Sequence, residues 1–203
     1  MCNLYRMKKS AAEVAAHFRA SDAAAGANFG TSVYPGYPGM VVVDGEARSM
    51  AWGFPLERTG KTGKPLKPKP VNNARTDKLK SWFWRDSFER RRCLIPVSAW
   101  AEAEGPRGSM TRTWMSVPGD ELFAVAGIWK DTDAFGPAFS MVMTDAAGPA
   151  ARVHSRMPVI LSAQDWDRWQ QAEPADAYAM CRAWDGPLEI DRTDEPWFAR
   201  RSG

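Results

Sequence analysis

Apolar residues along this chain fall mostly in short runs or alternate with polar ones, and helical spacing is confined to a few brief stretches. Residues 40–43 and 49–52 flank Asp44-Gly45, a pair that favours the positive φ angles of a tight turn, which predicts a β-hairpin. Residues 93–97 read as a buried strand. Residues 100–103, 113–117, 122–129 and 139–144 read as further strands, with turn signals such as Pro118-Gly119-Asp120 between them. Their short connections imply antiparallel pairing. Helices are fewer. Ser10-Ala11-Ala12-Glu13 is a capping box that opens a short helix through Phe18, with His17 on its surface or half-buried. Residues 77–91 have helical composition and no proline. Ser162 precedes an aromatic helical stretch carrying Trp166 and Trp169, Pro174 opens another helix, and residues 188–190 look like a last strand. The pattern predicts an α+β fold, with a curved antiparallel β-sheet or open barrel at its core and helices at the periphery, in one domain spanning residues 1–203.

Charge adds one local feature. The net charge of +3 is mild, but residues 57–70 carry Arg58, Lys61, Lys64, Lys67 and Lys69 against Glu57 alone, interleaved with glycines and prolines. This stretch is expected to be an exposed basic loop, either a solvated connector or a flap that attracts phosphate. Three widely spaced cysteines, Cys2, Cys93 and Cys181, give neither a disulfide framework nor a zinc site, so no metal or cofactor is expected. No apolar run reaches membrane length, and the start of the chain lacks the apolar core of a signal peptide, which points to the cytoplasm. Of ten tryptophans, most are expected in the core, with one or two left as platforms for stacked bases; Trp52, Trp82, Trp84 and Trp100 lie near polar motifs.

The candidate chemistry begins at Cys2. Removal of Met1 would leave an α-amine and a thiol on one α-carbon, and that amine, with an ordinary pKa of about 7.7–8.0, attacks an aldehyde far more readily at neutral pH than a lysine does. The thiol can then close on the imine carbon as a five-membered thiazolidine. The alternative is an inert chain end. Asn73 and Arg75 project to one side of an extended segment and could meet one ligand, Arg75 suiting a phosphate. Equally, the segment could be a helix entry with Thr76 as cap and Asp77 in the first turn. Glu102 sits among small and apolar neighbours in a strand: facing a pocket, it would have its pKa raised toward neutrality by desolvation, and facing water it would do nothing. His154, one of two histidines, precedes an apolar strand; a lone histidine is more often structural than catalytic, yet histidine titrates where proton transfer is useful. No serine hydrolase motif, Walker loop or GxGxxG accompanies them.

Together these residues resemble the SRAP family, the SOS response-associated peptidases that crosslink abasic sites in DNA. The resemblance rests on Met1-Cys2, Trp52-Gly53-Phe54-Pro55, Asn73-Ala74-Arg75, Arg92-Cys93-Leu94-Ile95-Pro96 followed by Trp100 and Glu102, Ala126-Gly127-Ile128-Trp129, and the run from His154 to Leu161. It implies that Cys2 becomes the N-terminus and reacts with the ring-opened aldehyde of an abasic deoxyribose in single-stranded DNA. It also implies that Asn73 orients the aminothiol, Arg75 grips a flanking phosphate, and Glu102 and His154 manage protons. Trp52 is taken as a DNA-binding platform. The expected species is a monomer, associated with the nucleoid when bound to DNA.

Two positions depart from the family pattern. Family members often carry an arginine where this chain has Leu4, and an aromatic residue where it has Ala101. Arg6 keeps the strand parity of position 4 and is expected to substitute for that arginine about 7 Å away. DNA affinity or strand preference is therefore expected to differ, and the aminothiol chemistry is not. Two other readings remain: a thiol peptidase using Cys2 with His154 and Glu102, and a non-catalytic single-stranded DNA-binding module.

Overall fold

The computed structural model describes residues 2–24, 26–27 and 29–198. Met1, whose removal the aminothiol chemistry requires, lies outside the described residues. In chain order the elements begin with β1 (Tyr5–Arg6), α1 (Ala11–His17), β2 (Ser21–Asp22), β3 (Ser32–Val33), β4 (Pro38–Val43) and β5 (Glu46–Trp52). There follow β6 (Phe54–Thr59), β7 (Pro65–Val71), β8 (Asn73–Arg75), α2 (Arg85–Arg90), β9 (Arg92–Val97) and β10 (Ala99–Glu104). The chain continues through β11 (Thr111–Ser116), β12 (Phe123–Lys130), β13 (Ala138–Asp145), β14 (Arg156–Pro158) and β15 (Ile160–Leu161), and then α3 (Trp166–Gln171), α4 (Pro174–Ala179) and β16 (Glu189–Pro196).

Local sequence explains several of these directly. Ser10 and Glu13 form the reciprocal capping box of α1, which satisfies two amides that the first turn leaves orphaned. Asp44 and Gly45 take φ of 52° and 73°, the paired positive values that let β4 turn into β5 in two residues. The resulting architecture is α+β, as the patterning predicts. Strands β13, β12, β9, β4 and β5 pair in succession, and β5 returns to β13, so the sheet closes into a ring. The expectation of purely antiparallel pairing is corrected at this closure: β13 runs parallel to β5 and to β8, because long excursions rather than hairpins join them. A second sheet, in the order β16-β11-β10-β1-β3, is antiparallel throughout.

Strand parity divides this second sheet. Tyr5, Trp100 and Met115 occupy paired positions, and all three enter the main core against the ring. Leu4, Ala101 and Trp114 form a separate cluster, with Ala99 and Trp197 at its margin. The two departures from the family pattern, Leu4 and Ala101, therefore meet under one tryptophan.

Residues 77–91 do not form one helix. A 3₁₀ turn at Thr76–Lys78 and the short α2 are separated by a turn that directs Phe83 and Trp84 onto Phe54, with ring centroids 6.2 and 5.2 Å away. Packing of those aromatics outweighs the helical propensity of the stretch. Just beyond, the buried Arg92 donates to the carbonyls of Phe88 (2.7 Å) and Glu89 (3.1 Å) at the end of α2. It also donates to those of Trp169 (2.5 Å) and Ala172 at the end of α3. One guanidinium thus satisfies the orphaned carbonyls of two helices and fixes both to the ring.

Residues 57–70, expected as a loop, are mostly paired strand. β6 and β7 form a two-stranded ribbon hydrogen-bonded to neither sheet. Its root is tight: Gly53 has φ of 123°, and a Cβ there would lie 2.6 Å from the Pro70 side chain. Only glycine serves at that position.

Candidate functional site

Cys2 is completely buried at the approach of the second sheet to β8. Its carbonyl oxygen accepts two side-chain amides, Asn72 Nδ2 at 2.8 Å and Asn73 Nδ2 at 2.7 Å. Asn72 also reaches Asn3 Oδ1 at 3.2 Å. The extended backbone of β8, held parallel to β13 with Asn73 opposite Met141, aims Asn73 at this carbonyl. Asn72 is held from behind: the Trp52 indole N–H donates to its carbonyl at 3.1 Å, and so does the Met141 amide at 2.9 Å. Among the described residues, the buried Asn73 Oδ1 accepts no hydrogen bond. It is an acceptor beside the first residues of the chain, available to an N–H or O–H group that enters the site.

The Cys2 thiol donates to the Leu4 carbonyl at 3.5 Å. Burial pushes its pKa far above the ordinary thiol value, and the nearby Glu102 carboxylate pushes it further, so the sulfur keeps its proton at neutral pH. Glu102 is 2% exposed and lies two residues beyond Trp100 on β10, on the face of the sheet that carries Tyr5. Burial raises its pKa from 4.5 to about 7, the range in which a carboxyl both gives and takes a proton under ordinary conditions. His154 lies just before β14 and is half-buried. The Arg156 amide donates to its Nδ1 at 3.0 Å, which places the proton of the neutral ring on Nε2. Burial lowers its pKa from 6.5 and favours that neutral form.

Arg75 extends β8 toward this segment. Its Nε and Nη2 donate to the two carboxylate oxygens of Asp77 at 2.9 and 2.7 Å. The bond to Asp77 raises the Arg75 pKa, and the same bond lowers that of Asp77. Arg156 stands 3.9 Å from the same carboxylate and 3.1 Å from Asp145, so two guanidinium groups gather at one half-exposed carboxylate. The segment is also a helix entry, a 3₁₀ turn with Asp77 in its first turn, but the expected cap is corrected: Thr76 lies inside the turn, Arg75 stands at the cap position, and no side chain caps it.

Two expected DNA contacts sit elsewhere. Trp52 has no exposed surface and is enclosed by Tyr5 (centroids 4.9 Å apart) and Phe139 (6.4 Å), so no base can stack on it as it stands. It acts instead through Asn72. Arg6 stacks on the Trp114 ring at 3.6 Å and pairs with Glu195 at 3.3 Å, on the side of the sheet where Leu4 packs. Arg112 reaches the same carboxylate at 3.1 Å, so two guanidinium groups share Glu195. The residue that sequence reasoning passed over is Asn72; the signal was the doubled asparagine, of which only the second was assigned a role.

All three cysteines are free, and no group of three or more His, Cys, Asp or Glu side chains among the described residues is arranged to hold a metal ion. No helix among them is long and apolar enough to cross a membrane.

Comparison with known proteins places this geometry. A family model described as SOS response associated peptidase (SRAP) matches residues 1–193. No curated protein matches the chain. Among solved structures, a protein from Bordetella bronchiseptica superposes with a TM-score of 0.78 at 22% identity, covering 95% of this chain and 99% of its own. One from Bacteroides thetaiotaomicron gives 0.77 at 18% identity, with 94% and 91% covered. A phage-related protein from Bordetella bronchiseptica gives 0.67 at 18% identity, with 95% and 94% covered. At these identities the likeness is one of fold.

Proposed function

The chain belongs to the SOS response-associated peptidase family, and from that premise we propose that it binds single-stranded DNA and captures the ring-opened aldehyde of an abasic site on Cys2. Family membership itself supports a role in the DNA damage response and implies DNA binding. The observation that carries the finer reading is the double amide clamp on the Cys2 carbonyl, set beside a buried carboxyl that titrates near 7.

With Met1 removed, the Cys2 amine adds to the aldehyde carbon, and the carbinolamine oxygen leaves as water once it is protonated. Glu102, whose pKa burial raises to about 7, is suited to deliver that proton. The thiol then adds to the imine carbon, forming the C–S bond while its proton passes to nitrogen. The balance is amine, thiol and aldehyde going to thiazolidine and water. Asn72 and Asn73 hold the residue that bears both nucleophiles, so closure needs little further ordering. Asn73 Oδ1 supplies an acceptor for the amine or for a sugar hydroxyl. His154, neutral with its proton on Nε2, is a donor suited to the ring opening of the deoxyribose. Arg75 supplies a fork for a flanking phosphate, which would compete with Asp77 for it.

A protonated thiol suits this order of events, because the amine attacks first and the sulfur closes later. A cysteine peptidase needs the opposite, a thiolate held ready. The test compares wild type with Cys2→Ala on an abasic single-stranded oligonucleotide, with and without borohydride. Cys2→Ala is expected to lose the heat-stable adduct and keep a reducible imine. An undiminished heat-stable adduct from Cys2→Ala overturns the assignment, and hydrolysis of peptides without any DNA adduct assigns the site to peptidase chemistry.

A further inference from the structure

Six arginines on the two sheets have carboxylate partners: Arg6 and Arg112 share Glu195, Arg48 has Glu46, Arg75 has Asp77, Arg156 has Asp145 and Arg192 has Glu104. The β6–β7 ribbon is different. Arg58, Lys61, Lys64, Lys67 and Lys69 are all exposed, and among the described residues none has a carboxylate within 4.0 Å. Five cations thus stand together on one projecting element, with Glu57 the single acidic residue in that stretch.

The root of that element is joined to the site. β7 ends at Val71, immediately before Asn72, and β6 begins at Phe54, two residues after Trp52. Exposed aromatic residues stand at the same root. Trp82 is 85% exposed and is held edge-on by Phe83 (centroids 5.5 Å apart), which packs on Phe54; Lys130 lies over the rings of Phe54 and Phe83 at 4.6 and 5.0 Å. Tyr37 is 65% exposed, on the turn whose Gly36 abuts Pro70. An indole with most of its surface in water has no folding role there, and flat aromatic faces beside a row of unmatched cations are the pattern that single-stranded nucleic acid requires: phosphates along the charges, a base on the ring.

We propose that the β6–β7 ribbon and Trp82 form an arm that tracks the strand leaving the abasic site, with the cations along its phosphates and Trp82 stacked on one unpaired base. The inference rests on the single-stranded DNA reading above and names the part of the ligand that the Cys2 pocket does not hold. The arm also offers an answer to the loss of an arginine at position 4: charge removed beside the pocket is supplied farther along the strand.

The experiment measures binding of undamaged oligonucleotides of about 6 and about 20 nucleotides, lengths that bracket one binding site, by anisotropy over a range of salt. It is run on Cys2→Ala protein so that no covalent chemistry contributes. Replacing Lys61, Lys64, Lys67 and Lys69 together with glutamine should lower the slope of log affinity against log salt by up to about 3 for the long strand, at about 0.7 per phosphate contact. It should change the short strand much less. Trp82→Ala should weaken the long strand about tenfold, within the range for loss of one stacked base, with the slope unchanged. Equal slopes and equal length dependence in wild type and variants overturn the arm, as does a loss that is as large for duplex DNA or for an acidic protein as for the single strand. Adduct formation is scored separately on protein with an intact Cys2, so failure of the crosslinking reading leaves this result standing, and the reverse.

Discussion

The Cys2 pocket and the β6–β7 ribbon lie at opposite extremes of solvation, although Val71, the last residue of one, is bonded directly to Asn72 in the other. In the pocket the clamped carbonyl, the thiol and Glu102 are withdrawn from water; burial moves a carboxyl to about 7 and, with that carboxyl beside it, keeps a thiol protonated. On the ribbon the charges are exposed, with no carboxylate within 4.0 Å among the described residues. Desolvation tunes proton affinity but is costly, and it suits the few atoms that react. Hydrated cations hold a phosphate chain at little folding cost and release it when salt rises. On the proposed function the contrast is a division of labour, with chemistry in the interior and capture at the surface.

The largest expected effect tests the buried half. Glu102→Gln should slow adduct formation by about 10²–10⁴-fold, the usual contribution of a positioned acid or base, while DNA binding survives. Stability should move in the other direction. Because the folded state holds the Glu102 proton up to about 7 and the unfolded chain releases it near 4.5, wild-type stability should fall as pH rises between those values, by roughly 3 kcal/mol in full. Glu102→Gln lacks this loss. Urea midpoints of both proteins at pH 5 and pH 8 check it, and parallel pH profiles would show that Glu102 is not tuned by burial.

A smaller effect separates the two amides. Asn72→Ala and Asn73→Ala each leave the Cys2 carbonyl one donor, so each should slow adduct formation roughly fivefold to tenfold, about one hydrogen bond's worth. The double variant should lose more than the sum of the two in free energy, since only there is the carbonyl stranded. Strict additivity in that cycle would mean that the asparagines act apart from each other. The smallest effect falls on the exposed side: Arg75→Ala should lower the salt slope of single-strand binding by about 0.7, one contact, against the larger loss expected of the ribbon. An unchanged slope would leave Arg75 only its bond to Asp77.

What the sequence revealed follows the same divide. Strand alternation placed Glu102 and the main strands, and the capping box and Asp44-Gly45 turn were local chemistry that tertiary packing left intact. The charge of the ribbon was legible, but its pairing was not, because Pro65, Pro68 and Pro70 argue against a strand. They are tolerated on a ribbon with no third strand to pair with. Trp52 and Trp82 show the limit most plainly. Nothing local distinguishes them, yet one is sealed between Tyr5 and Phe139 and the other stands in water, an outcome set by contacts distant in sequence. Arg6 likewise kept the expected parity, but β16, the last strand to join the sheet, brought Glu195 to it.

The central claim is that the reactive group is the aminothiol of Cys2 freed of Met1. Intact mass of the protein after incubation with an abasic single-stranded oligonucleotide, combined with N-terminal sequencing of the same sample before incubation, tests it most directly. The account predicts a start at Cys2 and a single adduct equal to protein plus oligonucleotide less one water, stable to heat, and no adduct from protein in which removal of Met1 is blocked. An adduct of equal yield on protein that retains Met1 would contradict it.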